Sequence, residues 1–285
     1  DMHVAAALAL GAEKEGNTLI AHRLVGGRIV FHTVSVGATV NALFLAASAE
    51  GESVIENAAI EPHVLALARF LRTAGASIEI SGREIRVTGA PLHGGHAEVI
   101  PDMIEAGTYL LCAPATGGAV RVHGARAEEL SALTDALTLA GVEIEKRGNV
   151  LSAKGTPCRP ITVTTAPYPG FATDLHPPLA PILALGAGGR IREGVFPERF
   201  GYLSELSRFG VRSSVEGNMA ELIPSNPHAA TAKALDLRGG AAAVLTALAA
   251  NGRSEILDAD KLLRGYEGFA RKLTALGADI RLITQ

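Results

Sequence analysis

The chain repeats itself, and the repeat limits what it can fold into. Five times an apolar, helix-like stretch ends in a turn of small residues and runs into a short strand-like run. The turns centre on Gly11 (LALGAEK), Gly75 (RTAGASI), Gly141 (LAGVEI), Gly210 (SRFGVRS) and Gly277 (TALGADI). The intervals between them are 64, 66, 69 and 67 residues. A fixed period marks repeated supersecondary units, and one this long suits a compact unit of two helices and about four strands rather than a common solenoid repeat. Only ten residues precede Gly11, where later copies have a whole helix and the strands before it. The sequence therefore predicts the later part of a longer protein.

The second copy is the clearest. Gly51–Asn57 reads as a strand, and Glu61-Pro62 then opens a helix, since proline is well tolerated in a helix's first turn. Val64, Leu67, Ala68, Leu71 and Ala74 keep helical spacing. Gly75 stops the helix. Ile78 and Ile80 alternate with polar residues, and Ser81-Gly82 turns the chain into Glu84–Val87, a hairpin signal.

A second helix type alternates with this one. It starts at Ser35–Thr39, at Asp102–Thr108, near Thr173-Asp174-Leu175 and at Asp236–Gly240. These helices are rich in Ala and Leu with few charges, and a helix that is apolar all round is buried. Each unit then contributes one buried helix, one surface helix and a small sheet. At 285 residues with 48% hydrophobic and 19% charged residues, the chain has core for two domains. The break is expected near Ile100-Pro101-Asp102, giving domains 1–101 and 102–285. A net charge of −3 argues against general attraction to nucleic acid or membranes. Cys112 and Cys158 show no disulfide or metal spacing, which fits a reducing compartment. No run has the apolar length of a membrane span, and the N-terminus lacks signal-peptide features. A cytoplasmic protein is expected.

Chemistry is sought first at the starts of the buried helices, because a helix N-terminus offers free N–H groups and a partial positive charge to anions. Val34–Thr39 has small residues where a phosphate can approach the backbone. The plainer reading is a serine cap with a glycine for packing. Arg199, Arg238 and Arg264 stand near turns in the last two repeats, each beside a glycine or an acidic residue. Arginine clamps carboxylate and phosphate with paired hydrogen bonds, although a single arginine also serves as an ordinary surface charge. In Thr165–Asp174 two prolines stiffen the approach to a helix. Asp174 is either its cap or a rigidly held carboxylate able to exchange a proton with substrate. His93-Gly94-Gly95-His96 lacks a third metal ligand and reads as a turn. Gly186–Gly189 lacks the Lys-Ser/Thr of a phosphate loop and reads as the link from a buried helix to the next strand. No nucleophile triad, zinc spacing or cofactor motif is present.

These segments resemble the enolpyruvyl transferases, specifically the C-terminal two-thirds of the UDP-N-acetylglucosamine 1-carboxyvinyltransferase family. The resemblance covers essentially the whole chain. It is carried by Val34–Thr39, Glu56–Ala59, Pro101-Asp102, Glu105, Gly107-Thr108, Thr165–Pro167, Thr173-Asp174, Val195-Phe196, Arg199-Phe200, Glu205–Arg208, Asp236–Arg238 and Arg264–Glu267, in order and at family-like spacing. It implies an α/β fold: an inside-out α/β barrel of two domains, each of three units, with the first incomplete here and the active site between the two. Residues 1–101 are then the remainder of the UDP-sugar-side domain and 102–285 the second domain. The implied reaction transfers the enolpyruvyl group of phosphoenolpyruvate to the 3-hydroxyl of UDP-N-acetylglucosamine, in peptidoglycan precursor synthesis, without metal or organic cofactor.

Residue by residue, the resemblance makes Asp174 the proton acceptor for the attacking hydroxyl and Arg264 a holder of the phosphoenolpyruvate phosphate or carboxylate. Arg199 and Arg238 stand near that group, with Asp236 beside Arg238. Ser35, Val36 and Gly37 hold the diphosphate, Asp1, Met2 and His3 lie beside the uracil, and Val195 and Phe196 line the sugar nucleotide. Two anionic substrates call for several cationic donors and one acceptor of a proton. The chain also departs from the family pattern. The lysine-asparagine pair and the mobile acid loop belong upstream of Asp1. Thr33, Met103, Tyr168, Glu198, Lys261 and Leu263 stand where other residue types are usual. Three readings follow: the UDP-N-acetylglucosamine transferase, a divergent transferase acting on another uridine nucleotide, and a non-catalytic binder. The shikimate-pathway branch fits less well, because Val34–Thr39 and Arg264–Glu267 follow the UDP-sugar branch. The chain alone is expected to need its missing N-terminal segment, or a complementing chain, for full activity.

Overall fold

All five marker glycines adopt left-handed backbone, with φ of 90° at Gly11, 118° at Gly75, 98° at Gly141, 84° at Gly210 and 100° at Gly277. A residue with a Cβ is strained there, and this conformation is how a helix is closed and the chain redirected. The computed structural model describes residues 1–283 and divides into two units, Asp1–Ile100 and Pro101 onward, each with its own apolar core.

The first unit runs α1 (Met2–Ala9), β1 (Glu13–Glu15), β2 (Thr18–Ile20), β3 (Arg28–Val30), α2 (Val36–Ser48), β4 (Glu52–Glu56), α3 (Pro62–Thr73), β5 (Ser77–Ser81) and β6 (Glu84–Thr88). The β1–β2 pair is a separate hairpin, and the main sheet has the order β3-β4-β6-β5. β3 and β4 are parallel, joined through α2, and β6 lies antiparallel to both β4 and β5. The register aligns Ile29, Ile55, Ile85 and Ile80 across the sheet. The first three of these isoleucines are buried in the core.

The second unit runs α4 (Met103–Thr116), β7 (Ala119–His123), α5 (Ser131–Ala140), β8 (Glu143–Arg147), β9 (Val150–Lys154), β10 (Ile161–Thr164), α6 (His176–Leu185), β11 (Gly189–Arg192), α7 (Leu203–Leu206), β12 (Arg212–Glu216), β13 (Met219–Ile223), β14 (Thr231–Lys233), α8 (Leu237–Ala249), β15 (Glu255–Leu257), α9 (Asp260–Leu263) and α10 (Phe269–Ala275). The sheet order β10-β11-β13-β12 reproduces the first unit's topology strand for strand. The parallel pair β14–β15 repeats its first step around α8. The sheet β7-β9-β8 lacks the parallel strand that its counterparts have, so one edge of β7 is without a strand partner among the described residues.

Helices α4, α6 and α8 pack on one another, and each also touches its own sheet. Helices therefore fill the centre of this unit and sheets surround them, the inside-out arrangement that the resemblance implies. The sequence reason is visible in α6, where every residue from His176 to Ala184 is buried, and in α8, buried from Arg238 to Thr246. A close approach at the start of α8 requires glycine. A Cβ at Gly240 would lie 2.8 Å from the Ala234 Cβ and 2.6 Å from Leu262 Cδ1. The helix turn that carries Arg238 is thus pressed against its neighbours.

Two expectations are modified. α2 buries one stripe (Ala38, Thr39, Ala42, Leu43, Ala46 and Ala47), while Phe44 on its other side is 48% exposed. Its sequence is as apolar as those of the other inner helices, but within its unit it has no second inner helix of that kind to pack against. Residues 278–283, read as strand-like after Gly277, form no strand. A strand exists only through a ladder partner, and this segment finds none among the described residues.

Candidate active site

Four inner helices begin at equivalent places, and three begin alike. Ser35 Oγ accepts from Ala38 N–H at 3.3 Å. Asp102 Oδ1 accepts from Ile104 N–H at 2.7 Å and Glu105 N–H at 3.3 Å. Asp236 Oδ1 accepts from Arg238 N–H at 2.9 Å and Gly239 N–H at 2.7 Å. These are side-chain caps of otherwise orphaned helix donors.

Asp174 occupies the same place before α6 and does not cap it. The residue three positions on, where a cap finds its donor, is Pro177, and Pro178 follows. Proline has no backbone N–H. The carboxylate is therefore released from the helix and points to two guanidiniums. Arg199 Nη1 donates to Oδ1 at 2.7 Å and Arg238 Nε donates to Oδ2 at 3.0 Å. The plainer reading of Asp174 as a cap is thus overturned: its carboxylate is bonded to the two arginines, and no side-chain cap bond is made to α6.

Arg238 is the more deeply placed cation, with its side chain 9% exposed. Its guanidinium lies 5.2 Å from the ring centroid of Tyr266, and the Tyr266 hydroxyl lies 3.0 Å from Thr108 Oγ1 on α4. Its Nη1 is buried and makes no hydrogen bond among the described residues. A buried charged donor left open is unfavourable, and such a group is suited to an incoming anionic oxygen. Arg199 lies 5.8 Å from the Phe196 ring centroid and also donates to Thr173 Oγ1 at 3.1 Å. Burial raises the carboxyl pKa of Asp174, but the charges and hydrogen bonds of Arg199 and Arg238 outweigh it and hold the group below its ordinary value.

Behind this centre lies a buried polar cluster. Glu193 and His176 are fully buried, with Glu193 Oε2 3.0 Å from His176 Nε2. That approach is within ion-pair distance but off the hydrogen-bonding direction. His176 Nδ1 lies 3.1 Å from the Tyr202 hydroxyl. Burial pushes the Tyr202 phenol up, so it stays protonated, and the consistent arrangement turns its proton towards Nδ1. Burial likewise lowers the pKa of His176 despite Glu193 beside it. Burial raises that of Glu193, but His176, the Phe196 N–H, the Thr165 hydroxyl and the Val195 N–H together bring it well below 4.5. The pair is a neutral imidazole next to a carboxylate.

This cluster makes the second unit acid-labile. An imidazole that binds its proton less readily when folded loses stability as pH falls below 6.5. A carboxylate depressed on folding contributes stability above 4.5 that is lost as pH falls through its folded value. The expected result is a melting temperature that drops on acidification, with His176→Gln flattening the portion that begins near 6.5. Melts of the variant that track the wild type through that portion would contradict a neutral His176.

The remaining predicted residues are placed as follows. Arg264 is exposed, makes no ion pair or side-chain hydrogen bond among the described residues, and borders a hollow of about 380 Å³ with Asp236 and Lys261. It does not join the Asp174 cluster. Val195 and Phe196 give their N–H groups to Glu193, and the Phe196 ring is 56% exposed. In the first unit, Asp1 caps α1, which starts at Met2. Gly37 faces His3, whose Nε2 would lie 3.3 Å from a Cβ there. Ser35 and Val36 form the entry of α2. Thr39 Oγ1 accepts from Ala59 N–H at 2.9 Å, binding the Val34–Thr39 and Glu56–Ala59 segments together. Sequence reasoning passed over His176, Glu193 and Tyr202. A histidine in the otherwise apolar run of α6 was the available signal for His176; Glu193, after Arg190-Ile191-Arg192, carried none.

The sequence matches the family described as EPSP synthase (3-phosphoshikimate 1-carboxyvinyltransferase) over residues 2–273. It is 43% identical to UDP-N-acetylglucosamine 1-carboxyvinyltransferase 3 of Caldanaerobacter subterraneus subsp. tengcongensis, over 98% of this chain and 69% of that protein. It is 40% identical to the UDP-N-acetylglucosamine 1-carboxyvinyltransferase of Deinococcus radiodurans, over 98% of this chain and 68% of that protein. Among solved structures, the enolpyruvyl transferase NikO from Streptomyces tendae superposes with a TM-score of 0.87 at 27% identity, covering 99% of this chain and 72% of that one. EPSP synthase from Acinetobacter baumannii shares the fold, with a TM-score of 0.75 at 17% identity over 99% of this chain and 71% of that one. With matches of this extent, the chain belongs to the EPSP synthase family of carboxyvinyl transferases, on its UDP-N-acetylglucosamine 1-carboxyvinyltransferase branch.

Proposed function

We propose that this protein transfers the enolpyruvyl group of phosphoenolpyruvate to the 3-hydroxyl of UDP-N-acetylglucosamine, the first committed chemistry of a peptidoglycan precursor. The observation that carries the reading is a carboxylate held between two guanidiniums, one of them buried with an open donor. A phosphate- and carboxylate-bearing substrate needs such donors, and an attacking hydroxyl needs the acceptor. Over the reaction the acceptor O–H bond and the phosphate ester C–O bond break, a new C–O bond forms, and phosphate leaves. Asp174 takes the hydroxyl proton. Its two arginines keep it ionised and weakly basic, and an anionic substrate that engages either arginine raises its basicity at the moment a proton is to be taken.

Arg264, exposed beside Asp236 and Lys261, holds the phosphoenolpyruvate anion from outside this cluster. Ser35, Val36 and Gly37 receive the diphosphate, with Asp1, Met2 and His3 at the uracil and Val195 and Phe196 at the sugar. No described helix is long and apolar enough to cross a membrane, and we assign the protein to the cytoplasm, where both substrates are made. Relatives at 40–43% identity bear the UDP-N-acetylglucosamine name, which disfavours another uridine nucleotide or a binding-only role.

The test is phosphate release by the purified protein. Release should require both phosphoenolpyruvate and UDP-N-acetylglucosamine and yield the 3-enolpyruvyl ether by mass spectrometry. Nucleotide binding without release would instead support the binder. Release with a different uridine nucleotide alone would support the divergent transferase.

A further inference from the structure

One residue breaks the repeat in the copy that holds Asp174. The residue directly after the second strand is Asn57 after β4, Gly124 after β7 and Asp258 after β15, and all three have positive φ, at 55°, 79° and 56°. Glu193 follows β11 and does not. Its side chain instead turns into the core and is fully buried.

Once there, it is bonded on both oxygens. Oε1 accepts from Val195 N–H at 2.6 Å, Phe196 N–H at 2.8 Å and the Thr165 hydroxyl at 2.7 Å. Oε2 accepts from the Thr173 hydroxyl at 2.8 Å. One carboxylate thus ties the start of the segment carrying Arg199 to the Thr173-Asp174 approach. The bonds also have a direction. Thr173 gives its single hydroxyl proton to Glu193, so a lone pair of the same oxygen is left for Arg199 Nη1, at 3.1 Å. The same Nη1 reaches Asp174 at 2.7 Å. A buried carboxylate is unfavourable unless its lone pairs are engaged. These four bonds serve the two segments that meet at Asp174, and His176 Nε2 of α6 lies 3.0 Å from Oε2.

We propose that Glu193 is a positioning residue: by accepting the Thr173 hydroxyl proton it fixes the polarity of that hydroxyl and thereby aims Arg199 at Asp174. Its effect on turnover rests on the transferase reading given above, whereas its effect on the Arg199–Asp174 pair does not.

Glu193→Gln tests this at constant volume. A carboxamide has one acceptor face. Whichever way it turns, it sets N–H against either the Thr173 hydroxyl proton or the N–H groups of Val195 and Phe196. The expected result is a loss of about tenfold to a hundredfold in kcat with KM for UDP-N-acetylglucosamine within about twofold, as for a misplaced catalytic group. The carboxyl carbon of Asp174, followed by 13C NMR, should titrate at higher pH than in the wild type. Unchanged kcat and unchanged Asp174 titration would overturn the proposal. If the wild type releases no phosphate, the transferase reading fails, and the Asp174 titration alone decides the role of Glu193. Should Glu193→Gln not fold, Thr173→Val removes the hydroxyl through which Glu193 reaches Arg199, and Thr173→Ser restores it. A shifted Asp174 titration in the valine variant with a wild-type one in the serine variant supports the proposal. Equal titrations in both overturn it.

Discussion

Asp174→Ala should abolish nearly all turnover, lowering kcat about 10³-fold, within the range of about 10²–10⁴ typical of a positioned proton acceptor. Asp174→Asn sharpens the result. The amide keeps the size and one acceptor oxygen for Arg199 or Arg238, but it cannot take a proton at neutral pH. Equal loss in both variants identifies proton transfer, rather than shape, as the missing element. Stability should change much less. Removing the carboxylate leaves Arg238, 9% exposed, without its only anionic partner among the described residues. Breaking a fully buried pair costs about 3–5 kcal/mol. Asp174 is itself 37% exposed, so water compensates part of this, and about 1–2 kcal/mol is expected. The measurement is initial rates of phosphate release beside thermal melts. Turnover by Asp174→Asn within a few-fold of wild type would remove Asp174 from the reaction.

Arg238→Ala should have the second largest effect, lowering kcat/KM for phosphoenolpyruvate by about 10²–10³-fold, the range for losing one preorganised donor from a water-poor site. The loss should fall on phosphoenolpyruvate and not on the nucleotide, because the arginine's described partners are Asp174 and the Tyr266 ring. Arg238→Lys should recover little. A lysine keeps the charge but loses the planar fork that at once stacks on the Tyr266 ring, donates to Asp174 through Nε and leaves Nη1 open. Varying each substrate at saturating concentrations of the other separates the two effects. An equal fall for both substrates would place Arg238 in the architecture of the site rather than on the phosphoenolpyruvate anion.

Arg199 and Arg238 are legible in the sequence as cations standing near turns, each beside a glycine or an acidic residue. Their relation to Asp174 is not, because an aspartate before a helix is most often its cap. The distinguishing feature is local: Pro177 stands at the third position after Asp174, where Asp102 and Asp236 find an N–H donor in their own helices. Arg264 goes the other way. Its motif groups it with Arg199 and Arg238, but its side chain faces a separate hollow with Asp236 and Lys261.

The sequence by itself determined the repeat, the alternation of buried and surface helices, the hairpins after the first four glycine turns and the family. Each depends on short-range chemistry: a glycine's access to positive φ, the 3.6-residue spacing of apolar side chains, and the order of a dozen motif pieces. Only the tertiary structure decided which polar groups meet. Glu193 reaches Thr173 across 20 residues and Thr165 across 28, and Arg238 reaches Asp174 across 64. Those meetings follow from sheet pairing and from three inner helices packing together. One carboxylate consequently became the partner of two cations and another the buried anchor of the segment beside it.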